Sequence, residues 1–365
     1  MIHYESYNTL KRKEQNGDVN AGLELELRKL FRTDFGLRGI NEEIICCQSE
    51  SMFLSLPTSI HEINLLYKDM EIGDEAYRDN VIIDNYHSAT IEGARTTVEN
   101  VINAMKSTPK TKDDAMVVNS IKAFNYAMDI KPSINNLQTI WETVVEGVCE
   151  NEGQRGEKYR KGMVTVRTET EIIHTPEIPE KIEERLNNLY AFLELSKLDD
   201  ILKAIVFHFY FVYIHPYPDG NGRTSRIMMS SILKNAGYGK VGAMPISRCI
   251  NDNLNGYYRT LKESEEVQID GGKKYLDITP FIVYMLNILE QSIISAKASQ
   301  HRLSEFESRV LIKMKKSSSS EISILKFAKI FGVTDIYAKE ILDGLVEKGY
   351  LARYNGKPTI YKLIV

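Results

Sequence analysis

The stretch His215-Pro216-Tyr217-Pro218-Asp219-Gly220-Asn221-Gly222-Arg223-Thr224-Ser225-Arg226 constrains this chain more than any other. Upstream, Asp199 to Ile214 is apolar nearly all round (Ile201, Leu202, Ile205, Val206, Phe209, Val212), which predicts a buried helix. Downstream, Arg223 to Asn235 predicts a second helix, stopped by Gly237. The prolines and glycines between them prevent either helix from running through, so the chain must turn sharply and restart.

That turn has the parts of an anion site. Gly220-Asn221-Gly222 can direct backbone N–H groups inward, because glycine tolerates positive φ and close approach. The helix starting there offers unpaired N–H groups and a favourable dipole. Arg223 and Arg226 are three apart and share a helix face, so both can fork onto phosphate oxygens. Asp219 is a hard oxygen ligand suited to Mg²⁺, and His215 has the chemistry of a general base. There is no Walker lysine, so this is not a P-loop.

The stretch resembles the Fic-domain signature, His-x-Phe-x-(Asp/Glu)-Gly-Asn-Gly-Arg-x-x-Arg, with Tyr217 where Phe is usual. A buried tyrosine there needs a partner for its hydroxyl. Ser88-Ala89-Thr90-Ile91-Glu92-Gly93 reads blandly as a helix end. Beside the signature it resembles the family's inhibitory motif, (Ser/Thr)-x-x-x-Glu-(Gly/Asn). The resemblance implies AMP transfer from ATP to a Ser, Thr or Tyr hydroxyl of a target protein. His215 would be the base, and Gly220, Asn221, Gly222, Arg223 and Arg226 the ATP-binding residues. Asp219 would hold Mg²⁺. Glu92 would pair with Arg226 where the γ-phosphate belongs. Val164, Val166, Ile172 and Ile173 suggest a hairpin, by resemblance the flap that docks the target by strand addition. Ile250 to Tyr258 resembles a family segment ending in a tyrosine pair, with Tyr257 expected to stack on adenine. His208 is expected to be a packed core histidine. Removal of AMP at the same site, with Glu92 orienting water, fits equally, and self-modification is open.

A chain of 365 residues calls for more than one core, and 43% hydrophobic content is that of a globular protein. The net charge of −4 argues against a chain-wide nucleic-acid binder. Cys46, Cys47, Cys149 and Cys249 lack metal-ligand spacing and suggest reduced thiols. The polar start and the absence of a membrane-length apolar run point to a cytoplasmic protein with no membrane partner. The expected fold class is mainly α: a Fic-fold helical core with a small β-hairpin flap, plus a C-terminal winged-helix (α+β) domain. The expected boundaries are an N-terminal extension over 1–58, largely irregular apart from a helix over 21–31; a Fic domain over 59–297, with its inhibitory helix near 80–93 and flap near 163–176; and a winged helix over 304–365. Helices are expected over 59–67, 75–85, 98–105, 114–128, 135–148, 180–195 and 277–296. In the last domain they are expected over 306–314, 321–331 and 335–348, with two strands around Asn355-Gly356-Lys357-Pro358. Asp335, Glu340, Asp343 and Glu347 on its last helix leave direct DNA affinity weak, and protein docking or homodimer formation are equal alternatives. A nucleotide-sensing DNA-binding regulator is the rival function from another class.

Overall fold

A sheet helps to close the larger of the two units into which this computed structural model divides, Met1–Ala296 and Lys297–Val365. The structure describes residues 4–56, 58–149, 157–167, 172–299, 305–315 and 321–364. Pro57, Gly153, Gly156, the expected hairpin tip at Thr168–Thr170 and Ser317–Ser320 fall outside them.

The N-terminal region is not the largely irregular extension expected. It forms α1 (Tyr7–Gln15), α2 (Val19–Leu30), β1 (Arg32–Arg38), β2 (Ile44–Gln48) and α3 (Glu50–Ser55). Ser6 and Asp18 side chains accept N–H bonds at the starts of α1 and α2. There follow α4 (Ile60–Lys68), α5 (Asp74–Ile91), α6 (Val98–Lys106), α7 (Lys112–Asp129) and α8 (Ile134–Val144). Ser59, Thr97, Thr111 and Ser133 cap α4, α6, α7 and α8. The helix expected to stop at Asn85 runs on to Ile91. The Asn85 amide bonds the Val81 carbonyl within the helix, and Ser88, Ala89 and Ile91 bury the last turns. α8 ends at Val144, four residues earlier than expected.

Strands β3 (Val166–Arg167) and β4 (Ile172–His174) form a small antiparallel hairpin where the flap was expected. The side chains of Val166, Ile172 and Ile173 are outside the described set; Val164 lies before β3 and is half-buried. Then come α9 (Ile182–Leu195), α10 (Asp200–Ile214), α11 (Asn221–Asn235), α12 (Ile246–Asp252), α13 (Leu254–Ser264), β5 (Val267–Asp270), β6 (Lys273–Asp277) and α14 (Thr279–Ser299). From Ile201 to Ile214, α10 is buried except at Lys203 and Val212, as its all-round apolarity predicts. The sheet runs β1-β2-β6-β5, with β2 parallel to β6 and the other pairs antiparallel. The β5–β6 hairpin was not anticipated.

In the second unit, α15 (Glu305–Lys315), β7 (Glu321–Ser323), α16 (Ile324–Phe331), α17 (Asp335–Glu347), β8 (Leu351–Tyr354) and β9 (Ile360–Leu363) surround a separate core that includes Phe327, Leu342 and Tyr361. Its sheet runs β7-β9-β8. The helix expected from Glu321 starts later, because Ile322 pairs with Tyr361 in a third strand. No helix among the described residues is long and apolar enough to cross a membrane. All four cysteines are buried, and none is in a disulfide.

Candidate active site

The signature loop is held in shape by its own side chains. Asn221 Nδ2 donates to the Tyr217 carbonyl at 2.8 Å, and the Tyr217 N–H donates back to Asn221 Oδ1 at 3.0 Å. The Asn221 amide therefore clasps the loop and is not free for a nucleotide; only its backbone N–H remains for that role. Tyr217 is buried and stacks on Trp141, with ring centroids 4.3 Å apart; its hydroxyl finds Gln138 at 3.5 Å. Trp141 Nε1 donates to the Asp219 carbonyl at 2.8 Å. Gly220 has φ +76°, and a Cβ there would lie 2.8 Å from Val145, so glycine is required twice over.

His215 follows the last turn of α10 in the left-handed conformation, φ 52°. Its Nδ1 faces the Val212 carbonyl at 3.3 Å, which puts the ring proton there and leaves Nε2 as the basic nitrogen. Burial lowers its pKa to about 4, helped by His174 and Arg160 and opposed by Val212 and Glu92. At neutral pH the ring is an uncharged acceptor.

The two arginines of α11 are both buried, and their partners differ. Arg226 Nε donates to Ser88 Oγ at 2.9 Å, and its Nη2 to the Ser88 carbonyl at 2.9 Å and to Glu92 Oε1 at 2.8 Å. Burial acts to raise the Glu92 pKa, but Arg226, with Arg223 and His215, outweighs it and holds the carboxyl below its usual range. A Cβ on Gly222 would collide with the Glu92 carboxylate, so the last signature glycine makes room for that pair. Arg223 Nη1 donates to the Val144 carbonyl at 3.2 Å, and its Nη2 lies 3.5 Å from Asp219 Oδ1. Its Nε and Nη2 are buried with no hydrogen-bond partner. Buried donors of that kind are costly unless an acceptor arrives.

Tyr257, expected to stack on adenine, lines the cavity beside Arg226 but shows little of its surface. It is 3% exposed, packed against Phe281 and Tyr284. Its hydroxyl meets His208 Nε2 at 2.8 Å and interacts with Arg226. Tyr258, the next residue, is 37% exposed and lines the same cavity. His208 is fully buried, and burial takes its pKa down to about 3, as suits a core histidine.

A cavity of about 120 Å³ brings together Glu92, His215, Gly222, Arg226, Tyr258 and Glu265. A larger groove of about 560 Å³ beside β1 and α9 holds none of these groups. On the wall of the smaller cavity His174 bridges Glu265 (2.9 Å) and the Tyr213 carbonyl (2.6 Å), tying β4 to α13 and α10. Asp219 Oδ1 accepts the Gly220 N–H at 2.5 Å. The described residues contain no cluster of three or more His, Cys, Asp or Glu placed to hold a metal. A cation at Asp219 would therefore need phosphate oxygens and water for most of its ligands, as Mg²⁺ commonly does.

Sequence reasoning missed Trp141, Arg160, His174 and Glu265, and it chose Tyr257 over Tyr258 from the tyrosine pair. Of the four missed, Trp141 alone had a signal, as the one tryptophan of the chain.

Residues 133–233 match the Fic/DOC family. The protein adenylyltransferase Fic of Nematostella vectensis is 35% identical over 130 residues, 34% of this chain and 27% of that protein. That of Drosophila willistoni is 27% identical over 253 residues, 65% of this chain and 44% of that protein. The chain thus spans less than half the length of these curated relatives. A Fic family protein from Desulfovibrio desulfuricans G20 superposes with a TM-score of 0.59 at 21% identity, covering 83% of this chain and 94% of that one. A Fic domain containing signaling protein from Bacteroides thetaiotaomicron VPI-5482 gives 0.53 at 20% identity, covering 66% and 96%. At these identities the likeness is one of fold.

Proposed function

From the match of residues 133–233 to the Fic/DOC family we propose that this chain is a protein adenylyltransferase, transferring AMP from ATP to a hydroxyl of a protein and restrained by its own Glu92. The observation that carries the reading is Arg223: on the first turn of α11, its buried Nε and Nη2 have no hydrogen-bond acceptor, and Nη2 has only the Asp219 carboxylate at 3.5 Å. A phosphate chain supplies the missing acceptors.

In this reading the triphosphate lies over the N–H groups of Asn221, Gly222 and Arg223, with the Arg223 guanidinium on the α/β-phosphates. Asp219 would hold a Mg²⁺, which supplies charge neutralisation when bound. The backbone of β3 or β4 aligns the target segment, and its Ser, Thr or Tyr hydroxyl is presented to His215. Nε2 takes the hydroxyl proton as the oxygen bonds to the α-phosphorus, and the bond to the departing pyrophosphate breaks. Positioning and charge stabilisation supply most of the effect. Arg226 would bind the γ-phosphate, but Glu92 holds that place. ATP bound beside the intact pair has its α-phosphorus out of line. The Tyr258 ring, more open than Tyr257, is the better face for adenine.

A second reading rests on the Glu92 carboxylate, whose side chain is 30% exposed and whose Oε1 alone takes the arginine bond. The other oxygen can orient water for removal of AMP from a modified protein. The C-terminal unit, three helices and a three-stranded sheet, would serve target choice or assembly, and we favour protein docking over DNA for it.

Intact-mass measurement after incubation with ATP and Mg²⁺ tests the proposal. Added AMP on the Glu92→Gly protein or its target, absent when His215→Ala is combined with it, is expected. No AMP on either, with ATP bound, would overturn it.

A further inference from the structure

Arg160 lies in no motif, yet it is 2% exposed and ranks among the largest fully buried side chains. Its described hydrogen bonds all go to main-chain carbonyls. Nε donates to the His215 carbonyl at 2.7 Å, Nη1 to Gly162 at 2.9 Å, and Nη2 to Glu177 and, at 3.4 Å, to Ile214. Its own N–H donates to the Pro216 carbonyl at 3.0 Å. Two groups of partners are joined in this way. Ile214, His215 and Pro216 are the entry to the signature loop. Gly162 and Glu177 stand just before and just after the β3–β4 hairpin. Glu177 is fixed in turn, its carboxylate bonding Arg185 at 2.8 Å.

His215 needs such support. Left-handed backbone is unfavourable for a residue with a Cβ and persists only where its surroundings over-determine it. The His215 N–H is held by the Phe211 carbonyl at 3.0 Å, and its carbonyl by Arg160. A cation also suits the carbonyl end of α10. Only a planar fork reaches this many carbonyls at once; a lysine ammonium on the same stem does not.

We propose that Arg160 is a positioning residue that couples the flap hairpin to His215, fastening both roots of the hairpin to the backbone that aims the imidazole. The proposal rests on the transferase reading for its rate measurement, though not for its spectroscopic one. The groups facing the imidazole are Glu92 from the end of α5, His174 from β4, Arg160, and the Val212 carbonyl of α10. Of these, Arg160 and His174 favour the neutral ring and Glu92 opposes it.

The test uses the full chain carrying Glu92→Gly, with Arg160→Lys (charge kept, fork lost) and Arg160→Gln (charge lost, one amide kept). Both folded variants are expected to lose about 100-fold in kcat for AMP transfer, with KM for ATP changed by no more than about twofold. Arg160→Gln should also move the acid limb of the rate profile to higher pH, because His215 loses a cationic neighbour; Arg160→Lys should not. Nuclear magnetic resonance of ring-labelled histidine reports the same His215 titration without any transfer. A wild-type kcat in folded Arg160→Lys, an equal fall in kcat and ATP affinity, or an unmoved His215 titration in Arg160→Gln would each overturn the proposal. If the Glu92→Gly parent transfers no AMP, the transferase reading fails, and the histidine titration still decides the role of Arg160.

Discussion

Arg223 and Arg226 stand one turn apart on the same helix and are equally buried, yet one has idle nitrogens and the other is occupied. Around Arg226 the protein supplies four partners: Ser88 twice, Glu92, and the Tyr257 hydroxyl. Around Arg223 it supplies one good carbonyl and a distant carboxylate. Burial lowers the pKa of Arg223, while Arg226 overcomes the same burial through Glu92 and is raised. The difference teaches that one half of the proposed anion cradle is complete without a ligand, because the chain has placed its own carboxylate beside it.

The largest effect should come from His215→Ala, which leaves both arginines in place. Transfer should fall by about 1,000-fold or more, as loss of a general base implies, with ATP affinity unchanged by calorimetry. A retained rate would remove His215 from the chemistry. Glu92→Gly comes next. It makes the two arginines alike, and autolabelling should rise by about 100-fold, the scale of a 1 Å misplacement corrected. Equal initial rates would mean that the occupied arginine is not what restrains the enzyme.

Binding sharpens the contrast further. Arg223→Gln should weaken ATP by about tenfold in wild type and in Glu92→Gly alike, the worth of a charged hydrogen bond. Arg226→Gln should weaken it only in Glu92→Gly. Equal losses in both backgrounds would erase the distinction. The smallest effect is with pH. A carboxyl held below its usual range keeps the ion pair intact above that range, and loses it only as pH falls through the depressed value. The rate ratio of Glu92→Gly to wild type should therefore stay flat from neutral to mildly acidic pH. A ratio that collapses on mild acidification would mean that the pair is weaker than its geometry.

What was legible in the sequence was local. Prolines, glycines and a three-residue arginine spacing lie within one loop, and no distant contact can alter what they do to a backbone. The pairing of Glu92 with Arg226 was legible only through the resemblance of Ser88 to Gly93 to a family motif; read as a helix end, the same residues leave Glu92 in solvent. Tyr257 and Tyr258 were not separable, because which of two neighbours faces inward is decided by Phe281 and Tyr284 of α14. The side-chain clasp of Asn221 was not legible, because an amide can hold a turn or a ligand, and only the Tyr217 geometry chooses. Arg160 gave no signal, since its acceptors are carbonyls, which every residue has. Strand β2 hid for another reason: Ile44-Ile45-Cys46-Cys47 is a short apolar run without alternation, which periodicity cannot assign.

The position of that strand also sets an order of events during synthesis. β2 has β1 on one side and β6 on the other, and the Gln48 N–H bonds Thr279 Oγ1 across 231 positions. When Gln48 leaves the ribosome, half of its sheet does not yet exist. At typical translation rates the gap is roughly 10–50 s, and during it the apolar run of β2 has an unpaired edge. The larger unit can close only after residue 277 is made, by a contact of high sequence separation that is slow to find. Until then the nascent chain carries an adhesive strand, and a chaperone that covers that strand would act on this protein before the signature loop has a place to go.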